Sequence, residues 1–131
     1  MKTSATIFDY KVLPEKYDYL APDNSEIRLL SQTKYGGIAH CILPPGKTSI
    51  AVSHKTVEEI WYILSGMGEM WERSTTTEEV ISLVADTSLT IPTGNHFQFR
   101  NTGSKPLCIL IATMPPWLGK DEAVTVKGYW N

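Results

Sequence analysis

The sequence predicts a single all-β domain, a sandwich or a barrel built from short strands. Runs rich in β-branched and aromatic residues are separated by turn residues, and the chain carries nine glycines and eight prolines. Helix signals are poor and no strand–helix alternation occurs, which argues against an α/β fold. With 131 residues, 42% of them hydrophobic and 20% charged, residues 1–131 fit one domain with one hydrophobic core.

The strands follow from the turn chemistry between them. Proline, glycine, asparagine and aspartate mark the points where the chain must reverse, and alternating apolar residues fill the intervals. The turns, in chain order, are predicted at 22–25, 36–37, 44–46, 65–66, 73–77 and 101–106. The strands are predicted at 26–30, 38–43, 48–54, 59–64, 69–72, 80–84, 88–91, 97–100 and 107–113.

These strands define a barrel core at about 26–113, followed by a C-terminal tail at 114–131. Pro115 and Pro116 end regular strand pairing. Trp117, Tyr129 and Trp130 would be costly to leave in water, so we expect the tail to pack over the barrel or onto a partner subunit.

Charge and composition narrow the possible partners. The net charge is −2 and no lysine/arginine run occurs, which disfavours nucleic acid and anionic membranes as partners. The first 19 residues lack the apolar stretch of a signal peptide, and no apolar run is long enough to span a membrane. Cys41 and Cys108 fit no CxxC pattern and lie in strand-like runs, which favours buried thiols and a cytoplasmic location.

Two segments carry recognisable spacing. In the first, Gly46, His54, Glu59 and Gly66 match the pattern G-x5-H-x-H-x3-4-E-x6-G, with Val52 at the position of the first histidine. In the second, the pattern G-x5-P-x-G-x2-H-x3-N is met by three residues and departed from at two. Pro92, Gly94 and Asn101 match it, whereas Asp86 replaces the first glycine and Phe97 replaces the histidine.

This spacing resembles the two motifs of the cupin superfamily, and the chain looks like a small single-domain bacterial cupin. The resemblance implies a double-stranded β-helix, that is, a jelly-roll barrel with a pocket inside it. In metal-binding cupins three histidines and a glutamate hold iron, manganese, nickel, copper or zinc. Only His54 and Glu59 carry over as ligands, so the implied divalent metal is weakly held or absent.

Two further histidines are candidate replacement ligands. His96 precedes Phe97 and has the opposite parity on a regular strand, although a distortion after Gly94 would turn it inward. His40 has outward parity. His54 and Glu59 are therefore either a metal-free buried pair or two ligands of an ion completed by water, while Glu58 is expected to face solvent.

A ligand pocket with one polar pair and apolar, aromatic walls is expected inside the barrel. Such walls suit a flat or apolar small molecule better than a sugar phosphate, since no lysine or arginine is placed to grip phosphate. The predicted pocket residues are Cys41, Val52, His54, Glu59, Trp61, His96, Phe97, Phe99 and Ile109.

The sequence is compatible with three functions. The first is a small-molecule-binding protein with an incomplete metal site. The second is a metal-dependent oxygenase or lyase, or an isomerase, with His54 and Glu59 as catalytic residues. The third is a structural homodimer with a vestigial pocket; the family resemblance implies dimers formed through outer-sheet strands and swapped termini.

Overall fold

The computed structural model describes residue 8 and residues 10–21 and 25–130, and consists of two antiparallel sheets. The turn predicted at 22–25 lies largely outside the described residues. The strands are β1 (Tyr19–Leu20), β2 (Glu26–Gln32), β3 (Gly37–Leu43), β4 (Val52–His54), β5 (Glu58–Ser65), β6 (Met67–Arg73), β7 (Glu78–Val84), β8 (Ser88–Ile91), β9 (His96–Asn101), β10 (Leu107–Met114) and β11 (Ala123–Thr125).

One sheet has six strands in the order β1-β2-β3-β10-β5-β8, and the other has five in the order β11-β4-β9-β6-β7. The chain passes back and forth between the two sheets, so neighbours in each sheet are mostly distant in sequence. This arrangement of two facing antiparallel sheets confirms the predicted all-β jelly-roll barrel.

The core lies between the inner faces of the two sheets. On β5 the residues Glu59, Trp61 and Ile63 are buried, whereas the intervening Ile60 and Tyr62 are exposed, as period-two alternation requires. The buried apolar cluster comprises Cys41, Leu43, Trp61, Ile63, Met70, Leu83, Ile91, Phe97, Phe99, Leu107, Ile109 and Ile111.

The strand predicted at 48–54 is wrong in its first half. Thr48 makes an isolated bridge to Arg100, and the regular ladder begins only at Val52. Ser49 interrupts the strand because its hydroxyl accepts a hydrogen bond from the Phe99 amide, and its carbonyl accepts one from the Gln98 side chain. Side-chain bonds of this kind compete with ladder pairing.

Asp86 explains how the second motif tolerates the loss of its first glycine. Its backbone φ of 72° lies in the left-handed region, which asparagine and aspartate enter more readily than other non-glycine residues. The Asp86 amide donates to the Ile63 carbonyl, and its carboxylate accepts a hydrogen bond from the Tyr62 hydroxyl. The turn therefore keeps the glycine-type conformation without glycine.

The C-terminal tail packs on the barrel of its own chain. Strand β11 pairs with β4, so that Ala123 lies opposite His54. The Gln98 side chain binds the end of the tail. Its amide nitrogen donates to the Trp130 carbonyl, and its amide oxygen accepts from the backbone amides of Tyr129 and Trp130. Arg100 stacks over the Trp130 ring at 4.4 Å from the centroid.

Glu122 fixes the start of β11 to the turn after β4. Its carboxylate accepts hydrogen bonds from the amides of Thr56 and Val57 and from the Thr56 hydroxyl. Burial acts to raise the pKa of Glu122, but these hydrogen bonds, together with that from Lys55, hold it below its usual range. A buried carboxylate thus ties the tail to the rim of the barrel.

Within the described residues, no helix has the length and apolar character needed to cross a bilayer. Neither cysteine forms a disulfide: Cys41 is buried inside the barrel, and Cys108 is half-buried on the outer face of β10.

Substitution Glu122→Ala is expected to lower the free energy of unfolding by about 1–3 kcal/mol, since it leaves two backbone amides of the turn without an acceptor. Urea denaturation measures the change, and the exposed neighbour substitution Asp121→Ala is the control.

Because the folded pKa of Glu122 is depressed, the stability that its carboxylate contributes is present above the ordinary glutamate pKa and is lost as pH falls through the folded value. Equal losses in the two variants would contradict the assigned role.

Candidate functional site

His54 and Glu59 meet inside the barrel, contributed by opposite sheets. His54 ends β4 and Glu59 lies near the start of β5, and each is only 6% exposed. His54 Nδ1 stands 3.8 Å from Glu59 Oε2, which is too far for a direct hydrogen bond. His54 Nδ1 has no hydrogen-bond partner among the described residues, whereas Glu59 Oε1 accepts one from Trp61 Nε1 at 2.8 Å.

Burial controls the protonation of both side chains. Burial lowers the pKa of His54, against a smaller opposing effect of the Glu122 charge, and favours the neutral imidazole. Burial raises the pKa of Glu59 to about 7, although the Trp61 hydrogen bond acts in the opposite direction. Near neutral pH the site therefore holds a neutral imidazole beside a carboxyl group poised between its two forms.

Aromatic rings enclose the pair. Phe97 and Trp117 pack edge-on against the His54 ring, at centroid distances of 5.2 and 5.3 Å. Trp61 makes similar edge contacts with Phe97 and with Phe99. Phe97 belongs to a strand in the core, whereas Trp117 comes from the irregular segment between β10 and β11.

The remaining predicted pocket residues fall on two faces. Cys41, Ile109, Phe99 and Phe97 belong to the buried cluster, and Val52 packs against it. His96 is a correction: β9 alternates, and since Phe97 faces the interior, His96 lies on the outer face with Gln98 and Arg100. No distortion after Gly94 turns His96 inward, because it pairs regularly with Ser53 and Arg73.

His40 and Glu58 both have the outward parity that was expected, but their exposures differ. Glu58 faces solvent. His40 is only 8% exposed, and its Nδ1 has no hydrogen-bond partner within the described chain. The cross-strand neighbour of His40 is Arg28, whose guanidinium binds the carbonyls of Pro14 and Glu15, so the N-terminal segment lies near this histidine.

Tyr19 lies on the edge strand β1 and is 39% exposed. Partial burial raises the pKa of its phenol, and the nearby Cys41 and Glu59 groups raise it further. Tyr19 pairs with Ile27, which pairs with Cys41 in turn. The two-residue strand β1 sits in a polar stretch, so no hydrophobic pattern pointed to it.

Glu72 is a carboxyl group that was also missed from the sequence, and it lies on β6 opposite Phe97. It accepts a hydrogen bond from the Asn95 side chain, and its pKa is raised chiefly by burial and further by Glu79. A half-open cleft of about 230 Å³ lies here, lined by Met70, Glu72, Ser74, Thr77, Glu79, Ile81, Thr90, Pro92 and Asn95.

The described residues do not fit a resident metal ion. The 3.8 Å between His54 Nδ1 and Glu59 Oε2 is compatible with two ligand bonds of about 2.1 Å. However, Val52 and Phe97 occupy the other two ligand positions without donor atoms. Nowhere in the described ranges do three His, Cys, Asp or Glu side chains come together to hold an ion. Two donors alone make a weak site.

The pair has a simple chemical capacity of its own. A single oxygen atom at about 2.8 Å from both His54 Nδ1 and Glu59 Oε2 would bridge the 3.8 Å gap. A hydroxyl can donate to the imidazole nitrogen and accept from the protonated carboxyl at the same time. The positions of these two atoms would thus suit one hydroxyl group that shares a proton with the pair.

Two facing antiparallel sheets with a polar pair enclosed between them define a jelly-roll barrel protein with an internal site. The chain belongs to the cupin family: a family model described as "Cupin domain" matches residues 39–113. That match runs from β3 to β10 and includes both motif segments.

One curated relative and two solved structures are similar to this chain, and none of the three defines its chemistry. The uncharacterized protein MJ1618 of Methanocaldococcus jannaschii is 32% identical over 123 residues, which cover 87% of this chain and 95% of that protein.

Two solved structures share the fold. CapF, the capsular polysaccharide assembling protein of Staphylococcus aureus, matches with a TM-score of 0.70 and 19% identity over 95% of this chain.

The chain spans only 34% of CapF. The second structure, a predicted oxalate decarboxylase of Thermotoga maritima, matches with a TM-score of 0.59 and 24% identity, over 70% of this chain and 80% of that one. At these identities the two structures establish the fold alone.

The raised pKa of Glu59 predicts a specific pH dependence of stability. The unfolded chain releases this proton near the ordinary value of 4.5 and the folded chain near 7, so ionisation disfavours folding between these values. The free energy of unfolding should fall by roughly 2 kcal/mol more in the wild type than in Glu59→Gln between about pH 5 and about pH 8. Urea titrations at both pH values measure it.

The adjacent substitution Glu58→Gln is the matched control for this measurement, because Glu58 is exposed on the same strand. It should retain the wild-type pH dependence. An identical slope in the wild type and Glu59→Gln would mean that Glu59 titrates normally.

Trp117→Ala is expected to expose the His54 imidazole. Modification by diethylpyrocarbonate, mapped by mass spectrometry, should become several-fold faster at His54 than in the wild type. Leu118→Ala is the control, since Leu118 is 66% exposed and next in sequence. Unchanged reactivity of His54 in Trp117→Ala, with the barrel intact by circular dichroism, would show that Trp117 does not shield the site.

Proposed function

We propose that this cupin binds a small molecule inside the barrel, beside His54 and Glu59. The observation that carries the proposal is the buried His54 Nδ1, which has no partner among the described residues although it lies 3.8 Å from Glu59 Oε2. A buried polar atom without a hydrogen bond costs about 1–3 kcal/mol. A ligand hydroxyl or carbonyl placed between the two side chains would remove that cost.

The surroundings favour a neutral ligand. Trp61, Phe97 and Trp117 supply apolar, aromatic walls that suit a flat or apolar ring. In its ionised form Glu59 repels anions. The arginines in the described strands, Arg28, Arg73 and Arg100, lie on outer faces and offer no counter-charge to a phosphate or carboxylate in the interior.

Glu59 also supports a catalytic version of the same proposal. A carboxyl group with a pKa of about 7 can act as acid or base near neutral pH, and the neutral His54 can accept the proton that it releases. Proton transfer to or from a bound enol or hydroxy-carbonyl compound, as in an isomerase, is the reaction class that this pair can perform without a metal.

Ligand binding is tested by thermal denaturation against neutral hydroxylated or carbonyl-bearing aromatic compounds. A true ligand raises the melting temperature of the wild type and of Glu58→Gln, and this rise is lost in His54→Ala and reduced in Glu59→Gln. Catalysis is measured with the same compounds, as the incorporation of deuterium from D₂O into the compound. Glu59→Gln should abolish this incorporation. A rise that persists in His54→Ala would place the ligand elsewhere.

Metal content is measured on the same preparations. After purification without chelator and re-addition of Zn²⁺, Mn²⁺ or Fe²⁺, the bound ion should stay well below one per chain, since the site offers two protein donors. One tightly held ion per chain, lost in His54→Ala, would favour the metal-dependent oxygenase or lyase instead.

A further inference from the structure

A hydrogen bond inside the barrel distinguishes the two oxygens of the Glu59 carboxyl group. Trp61 Nε1 donates to Glu59 Oε1 at 2.8 Å, whereas Glu59 Oε2 stands 3.8 Å from His54 Nδ1. Glu59 and Trp61 alternate with exposed residues on β5, so both side chains face the interior, where they are 6% and 2% exposed. One oxygen is thus bonded to the wall of the site, and the other faces the histidine.

The indole is held in the orientation that makes this bond. Strand β5 pairs with β10 on one side and with β8 on the other, and both ladders include Glu59 and Trp61. The Trp61 ring packs edge-on against Phe99 and Phe97, at centroid distances of 4.9 and 6.1 Å. Because the backbone and the ring are both fixed by these contacts, the N–H is directed at Oε1 and not at Oε2.

Burial makes the Trp61 N–H dependent on Glu59 Oε1. An indole nitrogen can only donate, and in a buried position the loss of its acceptor is costly. Within the part of the chain that the structure describes, Glu59 Oε1 is the acceptor that Trp61 has. Oε1 is therefore kept as an acceptor in both protonation states of Glu59.

The two oxygens of a protonated carboxyl group differ in their hydrogen bonds: the hydroxyl oxygen donates, and the carbonyl oxygen is the better acceptor. Since Oε1 accepts from Trp61, it takes the carbonyl role, and the proton lies on Oε2. In the ionised form the same hydrogen bond stabilises the negative charge, and so acts against burial, which raises the pKa of Glu59 to about 7. The proton therefore leaves from Oε2 and returns to Oε2.

We infer that Trp61 is a positioning residue of the interior site, which fixes Oε1 of Glu59 as the carbonyl oxygen and leaves Oε2 to carry and exchange the proton. The donor of the protonated carboxyl group then lies on the side of His54, where a bound hydroxyl or carbonyl oxygen would be placed. A freely turning carboxyl group would hold its proton on that side only part of the time. This benefit to a ligand rests on the proposed function, whereas the position of the proton does not.

The assignment is tested in the ligand-free protein by replacing Trp61 with benzothienylalanine, whose sulfur takes the place of the indole N–H while the ring shape is kept. Infrared difference spectra between about pH 5 and about pH 8 contain the C=O band of protonated Glu59, which is identified by its loss in Glu59→Gln. In the Trp61 variant this band should shift to higher wavenumber, because its carbonyl oxygen has lost a hydrogen bond. The titration midpoint of the band should rise by about 0.5–1 pH unit, since the bond favours the ionised form.

Trp71 offers a matched control for this experiment. Its Nε1 also donates to a carboxylate oxygen, Glu78 Oε2, at 2.8 Å, but on the outer face of the other sheet, where Trp71 pairs with Gln98. Benzothienylalanine at Trp71 should leave the band and the midpoint of Glu59 as they are in the wild type. An unshifted C=O band in the Trp61 variant, with the barrel intact by circular dichroism, would overturn the inference. So would an unchanged midpoint.

This inference and the proposed function can fail separately. The infrared experiment uses no ligand, so its result stands even if no compound raises the melting temperature. Conversely, a ligand whose binding depends on His54 would still support the proposed function if the Glu59 band did not shift.

Discussion

The central constraint in this molecule is the enclosure of one imidazole and one carboxyl group in an apolar interior. Neither His54 nor Glu59 has its hydrogen-bonding capacity filled by the other, because 3.8 Å separates the nearest atoms. Burial favours the neutral form of each group, so the interior avoids a buried charge although the two side chains form no direct hydrogen bond. In cupins that hold a metal, the ion would take up this role; here valine and phenylalanine stand at two of the ligand positions.

The C-terminal tail maintains that enclosure. Without β11 and the segment before it, β4 would be an edge strand, and His54 would lie at the rim of an open barrel. The tail is held at three points: by the pairing of Ala123 with His54, by the hydrogen bonds of Glu122, and by those of Gln98. Trp117 lies in the span between β10 and the first of these points. The anchoring on either side lets one loop residue cover the site without belonging to the core.

The sequence predicted the barrel well because its signals were local. Turn residues and period-two alternation located the strands of the barrel core, and motif spacing supplied the family. What it missed depends on contacts distant in sequence. Trp117 contacts the His54 ring from a segment without a strand pattern, and Ser49 breaks a predicted strand through bonds to β9. The prediction that His96 lines the pocket was wrong. Its alternation with Phe97 along the strand indicated an outward side chain, and the regular pairing of β9 confirms that orientation.

Strand β5 presents different residues to the two sides of its sheet. Its inward residues, Glu59 and Trp61, build the site, and its outward residues, Ile60, Tyr62 and Leu64, form an exposed apolar row. A slip of one residue in its pairing with β10 would exchange the two sets, placing a carboxyl group outside and three apolar residues beside His54. The register of one strand pair therefore fixes the chemistry of the interior and the apolar character of the exterior together.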